Sequence, residues 1–290
     1  MTFSKKNEIM SDIVLREPLV KPEWLNDHLK SPNLIVLDAS LPKAGQGEDT
    51  LSDDLIQGAR FMDLKNEWAK KNARFPNTML DQRDFEISAR RLGINNSSAL
   101  VIYDQHGIYS SARGWYMFRA MGHENVAVLD GGLPAWKKRG YPVTPKGTYI
   151  WDAGDFKAQF DPKYFVNHNQ VLNAIEDGST RILDARAHDR FLGAVEEPRA
   201  GLRSGHIPNS ESMPFTELQE NGSMRNNQVL EKYFKAGSDN NQKLVFSCGS
   251  GITACVLALG AELSGRSGYS VYDGSWTEWG SLPELPVEKG

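Results

Sequence analysis

Short apolar runs recur along the chain, each bounded by Gly, Pro, Asp or Asn: Leu34 to Leu37, Leu100 to Tyr103, Val126 to Leu129, Ile182 to Leu183, Leu244 to Phe246 and Tyr269 to Tyr272. Runs that are apolar at successive positions, rather than at alternate ones, predict strands buried on both faces. Between them, "SSARGWYMFRAMG" and "TACVLALGAELSG" space apolar groups as a helix does. Trp115, Phe118 and Met121 share a face in the first, and Val256, Leu259 and Leu263 in the second. Each stretch closes on a glycine suited to a helix stop. Strands alternating with helices predict an α/β fold of mostly parallel sheets flanked by helices.

The pattern occurs twice. "NLIVLDAS" is answered by "TRILDARA", and an offset of 146 residues separates Asp38 from Asp184. "ALVIYDQHGIYSSARGWYMFRAMG" is answered by "KLVFSCGSGITACVLALGAELSG", with Asp104 lying 144 residues before Cys248, and "VAVLDGGLPAW" by "YSVYDGSWTEW", with Trp136 lying 143 before Trp279. Three matching blocks at a nearly constant offset predict two copies of one fold in tandem. The segment from Val143 to Lys163 has no clear periodicity and reads as the connection. The expected division is a tail over 1–12, a first copy over 13–145, a linker over 146–163 and a second copy over 164–290.

A length of 290 residues suits two cores of ordinary domain size. A net charge of −4 with both signs interspersed gives no broad cationic face, which argues against nucleic acid and anionic membranes as partners. No stretch approaches a membrane span. The first residues, "MTFSKKNEIMSDIVLREP", lack the apolar core and cleavage site of a secretory signal, so the expected location is cytoplasmic, with Cys248 and Cys255 as reduced thiols. No set of His, Cys, Asp and Glu has metal-ligand spacing, and no metal or other cofactor is implied.

The candidate chemistry lies in "LVFSCGSGIT". Cys248 ends a strand, Ala254 begins a helix, and the turn between them falls at the carboxyl edge of a parallel sheet, where open α/β folds bind ligands. Gly249 and Gly251 permit backbone conformations closed to other residues, so successive N–H groups can point inward. Such a nest at a helix N-terminus stabilises an anion, and a thiolate is the nucleophilic form of cysteine. Ser250 and Thr253 either add hydroxyl donors or cap the helix. Cys255, one residue into the helix, reads as a small buried apolar group. Phosphatases also use a cysteine loop at a helix N-terminus, but with an arginine about six positions after the cysteine to clamp phosphate, and position 254 is Ala. On charge alone Arg190 and Arg199 read as solvated surface groups, and His206 as bonded to nearby backbone.

With these blocks in place the chain resembles the rhodanese superfamily, specifically the tandem-domain 3-mercaptopyruvate sulfurtransferases, from about Ile13 to Gly280. "CGSGITAC" is similar to the family's Cys-Gly-Ser/Thr-Gly-Val-Thr-Ala loop, with Ile252 for Val, and "DARAHDRF", "EEPRAGLRSGHIPNSESMPF" and "YDGSWTEW" follow in the family's order. The resemblance implies a catalytically silent first copy and sulfur transfer through a Cys248 persulfide held by Gly249, Ser250, Gly251, Ile252 and Thr253. It implies that Arg190 and Arg199 bind the carboxylate and carbonyl of 3-mercaptopyruvate. The acceptor would be a thiol, such as thioredoxin or a small thiol, or cyanide.

Two alternatives belong with this reading: a thiosulfate sulfurtransferase, and a persulfide carrier loaded by a partner desulfurase. Thiosulfate-specific relatives carry cations directly after the cysteine, where this loop has Gly249 and Ser250, and this favours a less charged donor. One departure stands out. Relatives carry a His-Ile-Pro-Gly-Ala segment whose histidine has been placed in a proton relay with the loop serine, and this chain reads Leu55-Ile56-Gln57-Gly58-Ala59.

Overall fold

The computed structural model describes residues 12–235 and 242–290. Two five-stranded parallel sheets dominate it. The first has the spatial order Leu19–Val20, Val126–Leu129, Ala99–Tyr103, Leu34–Asp38, Arg60–Phe61. The second has the order Phe165–Val166, Tyr269–Tyr272, Lys243–Ser247, Thr180–Asp184, Ser210–Ser212. Matched strand for strand, the two orders are the same, so the doubled sequence folds into a doubled topology.

The continuous apolar runs have a direct cause. Leu100 and Ile102 point into one core while Val101 and Tyr103 point into another, and Ile35 and Leu37 are divided from Val36 in the same way. Alternate residues of one strand thus bury on opposite faces, and neither face is left for polar groups. The shared core runs through both halves. In it the helix Ser111–Ala120 packs on the helix Ala254–Leu263, and Tyr116 places its ring edge-on to Tyr164 and Phe165, with centroids 5.3 and 5.2 Å away. Both helices stop at a left-handed glycine, Gly122 (φ 81°) and Gly265 (φ 71°). The repeat extends to details outside the sheets: the indole N–H of Trp136 donates to the carbonyl of Pro142, and that of Trp279 to the carbonyl of Pro286.

The connecting segment is strapped to the first half. Val143–Pro145 pairs antiparallel with Asp54–Ile56, and Phe156 is buried in the shared core against Phe85 and Phe118. Backbone bonds from Gly154 to Arg90, from Gln159 to Met121 and from Asp161 to Ala120 hold it there. Among the described residues no helix is long and apolar enough to cross a membrane.

Candidate active site

Cys248 leaves the central strand Lys243–Ser247 at its carboxyl end, and the turn delivers the chain into the helix Ala254–Leu263. A second turn, between Tyr269–Tyr272 and the helix Ser275–Trp279, clamps it. The N–H of Cys248 donates to Ser275 Oγ (3.2 Å), which lies 4.0 Å from the sulfur and gives its own proton to the Tyr272 carbonyl (2.8 Å). Trp276 N–H donates to the Cys248 carbonyl (2.9 Å), and the N–H and hydroxyl of Thr277 donate to the Gly249 carbonyl (2.9 and 2.6 Å). Carbonyls are thereby drawn to the outside of the turn. Among the described residues no acceptor is bonded to the N–H groups of Ser250 through Ala254. A run of unpaired donors at a helix N-terminus is what binds an anion.

The two loop glycines serve different ends, which corrects the shared role expected of them. Gly251 is left-handed (φ 76°), and a Cβ there would lie 2.7 Å from the Asp273 carbonyl. Gly249 is not left-handed. A Cβ there would come 3.3 Å from Arg190 Nη2 and 4.0 Å from Arg199 Nη1, so this glycine makes room for guanidinium groups above the turn. Ile252 is buried. Thr253 occupies the N-cap position, yet its side chain makes no capping hydrogen bond.

The first half holds the same turn with a resident anion. Asp104, the counterpart of Cys248, is fully buried, and its Oδ2 accepts from the N–H groups of Tyr109 (2.7 Å), Ser110 (3.0 Å) and Ser111 (2.9 Å) and from the Ser111 hydroxyl (2.6 Å). Its Oδ1 accepts from His106 N–H (2.9 Å). At an offset of 144 these donors correspond to positions 250 and 253–255, three of which fall among the unpaired N–H groups of the second turn. The fold of the turn is therefore one that surrounds negative charge.

Charge around Cys248 is arranged as a chain. Arg186, buried, binds Asp184 through Nε and Nη2 (2.9 and 2.6 Å) and Glu197 through Nη1 (2.9 Å). Burial opposes its charge, and Asp184 and Glu197 outweigh burial, so its pKa is raised. Glu197, with a side chain only 2 % exposed, also takes two bonds from Arg190 (3.2 and 2.5 Å). Arg199 has no carboxylate within ion-pair distance among the described residues, only contacts of 3.4 Å to the hydroxyls of Ser250 and Thr277. Three guanidinium groups against two carboxylates leave one positive charge at the mouth of the turn.

The first half closes the site with residues that sequence reasoning missed. Arg113, buried within the helix Ser111–Ala120, reaches across to the Gly251 carbonyl (3.1 Å) and pairs with Asp273 (2.7 Å). Asp273 therefore ties the halves together, accepting also from Met79 N–H (2.9 Å). Asn77 Nδ2 donates to the hydroxyl and carbonyl of Ser250 (2.9 and 3.2 Å). The Tyr109 hydroxyl lies within electrostatic reach of Cys248, Arg199 and Arg190, and burial pushes its pKa up. A cation inside an otherwise apolar helix was the available signal for Arg113; Asn77, in "RFPNTML", gave none.

Leu55, where the resemblance led to the expectation of a histidine, is buried in the hydrophobic cluster of Val36, Tyr103 and Trp136, and the hydroxyl of Ser250 is met by Asn77. His206 faces the Phe191 carbonyl (2.8 Å), and exposed His188 faces Ser212. Cys255 is fully buried and donates to the Gly251 carbonyl; burial pushes its thiol up to about 12. Cys248 itself is 1 % exposed. Clefts of about 640 and 830 Å³ lie elsewhere, and Cys248 lines neither.

The rhodanese-like domain family matches residues 21–139 and again 167–282. The chain is similar to 3-mercaptopyruvate sulfurtransferase of Mus musculus, 38 % identical over 285 residues that cover 94 % of this chain and 95 % of the relative. It is similar also to thiosulfate sulfurtransferase of Cricetulus griseus, 36 % identical over 290 residues and covering 96 % and 97 %. The crystal structure of SseA from Escherichia coli, described among 3-mercaptopyruvate sulfotransferases, superposes with a TM-score of 0.80 at 31 % identity, covering 90 % of this chain and 99 % of that one.

Proposed function

Because the chain belongs to the rhodanese family, carrying two rhodanese-like domains in tandem, we propose that it is a 3-mercaptopyruvate sulfurtransferase in which Cys248 carries the sulfur. The observation that supports this most is the turn of unpaired N–H groups beneath Arg190 and Arg199. The Cys248 thiolate attacks the donor sulfur, an S–S bond forms, and the C–S bond breaks with its electron pair passing to the three-carbon fragment. That enolate takes a proton and leaves as pyruvate, and Cys248 is left as a persulfide within the nest. An acceptor thiolate then attacks the outer sulfur and Cys248 departs as thiolate; the electron pair left on the carbon fragment balances the oxidation of the transferred sulfur, so no outside oxidant is needed.

Arg199 supplies the free cation for the donor's carboxylate, because Arg190 shares its charge with Glu197. One surplus positive charge suits a monoanionic donor better than dianionic thiosulfate. A carrier loaded by a partner desulfurase would have little use for these arginines. The acceptor in this reading is a small thiol, a thioredoxin-like thiol or cyanide, and two free cysteines fit a reducing compartment such as the cytoplasm.

Pyruvate release and a mass gain of one sulfur on the protein are expected with 3-mercaptopyruvate, and both are expected to vanish in Cys248→Ser. Persistence in that variant refutes the role of Cys248, and a higher kcat/KM for thiosulfate refutes the donor.

A further inference from the structure

We infer that Asn77, from the first half, fixes the hydroxyl of Ser250 as a hydrogen-bond donor to the carbonyl oxygen of the sulfur donor, which makes Asn77 a positioning residue for the reaction. The inference rests on the mercaptopyruvate reading and adds to it a role for the silent domain.

The amide of Asn77 has one possible orientation. Its Nδ2 lies 3.2 Å from the Ser250 carbonyl oxygen, which only accepts, so the nitrogen end must face Ser250. The same nitrogen is 2.9 Å from Ser250 Oγ and donates there too. Arg199 Nη2 brings a second donor to that oxygen at 3.4 Å. A hydroxyl oxygen has two lone pairs and one proton. With a donor on each lone pair, the proton of Ser250 has to leave in a third direction, and among the described residues no acceptor meets it.

Thr277 shows the contrast, since its hydroxyl accepts from Arg199 but spends its proton on the Gly249 carbonyl. Ser250 is the hydroxyl of this pair left with a proton to give. The proton is directed to where the donor's carbonyl gains negative charge as the C–S bond breaks. A fixed donor at that point stabilises the enolate-like transition state more than the ground state.

Asn77 is itself held in place. Its backbone carbonyl accepts from Arg113 Nη2 (2.8 Å), and its backbone is left-handed (φ 59°), a conformation that asparagine tolerates better than most residues. An amide does not titrate, so Asn77 is no base to which Ser250 could pass a proton. The hydroxyl acts as a neutral donor and not as a link in a relay.

Asn77→Asp tests this, because aspartate has the same shape and tolerates the same backbone. Its carboxylate would accept the Ser250 proton and turn it away from the substrate. The expected result at pH 8 is a fall in kcat of about 10- to 100-fold, with KM for 3-mercaptopyruvate nearly unchanged. As pH falls the introduced carboxyl becomes protonated and can donate again, so the ratio of variant to wild-type kcat should rise. In a Ser250→Ala background the same substitution should cost less than about 2-fold.

Equal losses in both backgrounds, a ratio flat with pH, or an effect confined to KM would overturn the role of Asn77. Should Asn77→Asp not fold, Asn77→Gly suits the left-handed backbone and deletes the amide; it should lower kcat in the wild-type background and leave Ser250→Ala unaffected, and equal losses there overturn the role as well. Turnover by the wild type with uncoupled variants overturns Asn77 alone. No wild-type turnover of 3-mercaptopyruvate overturns the reading beneath it too.

Discussion

Arg199→Ala tests the proposal that the charge of Arg199 holds the donor. Arg199 lies in an exposed segment, pairs with no carboxylate among the described residues and makes only two long contacts to hydroxyls. Its loss strands no buried charge, so folding stability should stay within about 0.5 kcal/mol of wild type. The donor's carboxylate, about 4 Å from a guanidinium at an effective dielectric near 20, gains about 4 kcal/mol. Solvent screening reduces this to about 2 to 3 kcal/mol, the range of a hydrogen bond between charged groups in a partly enclosed site. At about 1.4 kcal/mol per factor of ten, kcat/KM for 3-mercaptopyruvate should fall about 30- to 150-fold. The assay is pyruvate release over a range of donor concentrations at low and high salt, beside urea unfolding of both proteins. Wild-type kcat/KM should decline with salt more steeply than that of the variant. A loss under about 3-fold, or one matched by a loss of stability, would refute the assignment of the free cation to Arg199.

Two further perturbations test the surroundings. Glu197→Gln leaves Arg186 and Arg190 without the buried carboxylate they share and should cost about 3 to 5 kcal/mol in urea unfolding; a cost below about 1 kcal/mol would show the network to be dispensable. Asp38, the counterpart of Asp184, has Ser40 where the second half has Arg186, and burial pushes its carboxyl up from 3.8 to about 6. A carboxyl raised in the folded state contributes stability that is full below about pH 4 and lost as pH rises through about 6. Asp38→Asn should therefore stabilise the protein by about 2 to 3 kcal/mol at pH 8 and by almost nothing at pH 4. An equal gain at both pH values would rule out burial of charge as the cause.

Strands buried on both faces were legible because their apolar runs have no other use. The doubling was legible because three blocks keep one spacing. The edge strands Leu19–Val20, Arg60–Phe61, Phe165–Val166 and Ser210–Ser212 were not, since two or three partly exposed residues make no run. At the site, Cys248 announced itself through its glycines, and Arg190 and Arg199 emerged only by resemblance. What the chain could not disclose was contact across the halves. Asn77 lies 173 residues from Ser250, and Arg113 lies 160 from Asp273. No local pattern encodes a pairing over that distance. Glu197 stayed hidden for a related reason: in "EEPR" it passes for a surface charge, and only folding buries it between two arginines.

In the proposed reading, Asp104 leaves the molecule a single address for its cargo. A cysteine at that position would create a second berth for sulfur, lacking the arginines that bring a donor in and the rim through which an acceptor collects. Atoms delivered there would be stranded. The side chain of Asp104 occupies that berth itself, and on the proposed chemistry every sulfur atom that enters would have one place to wait.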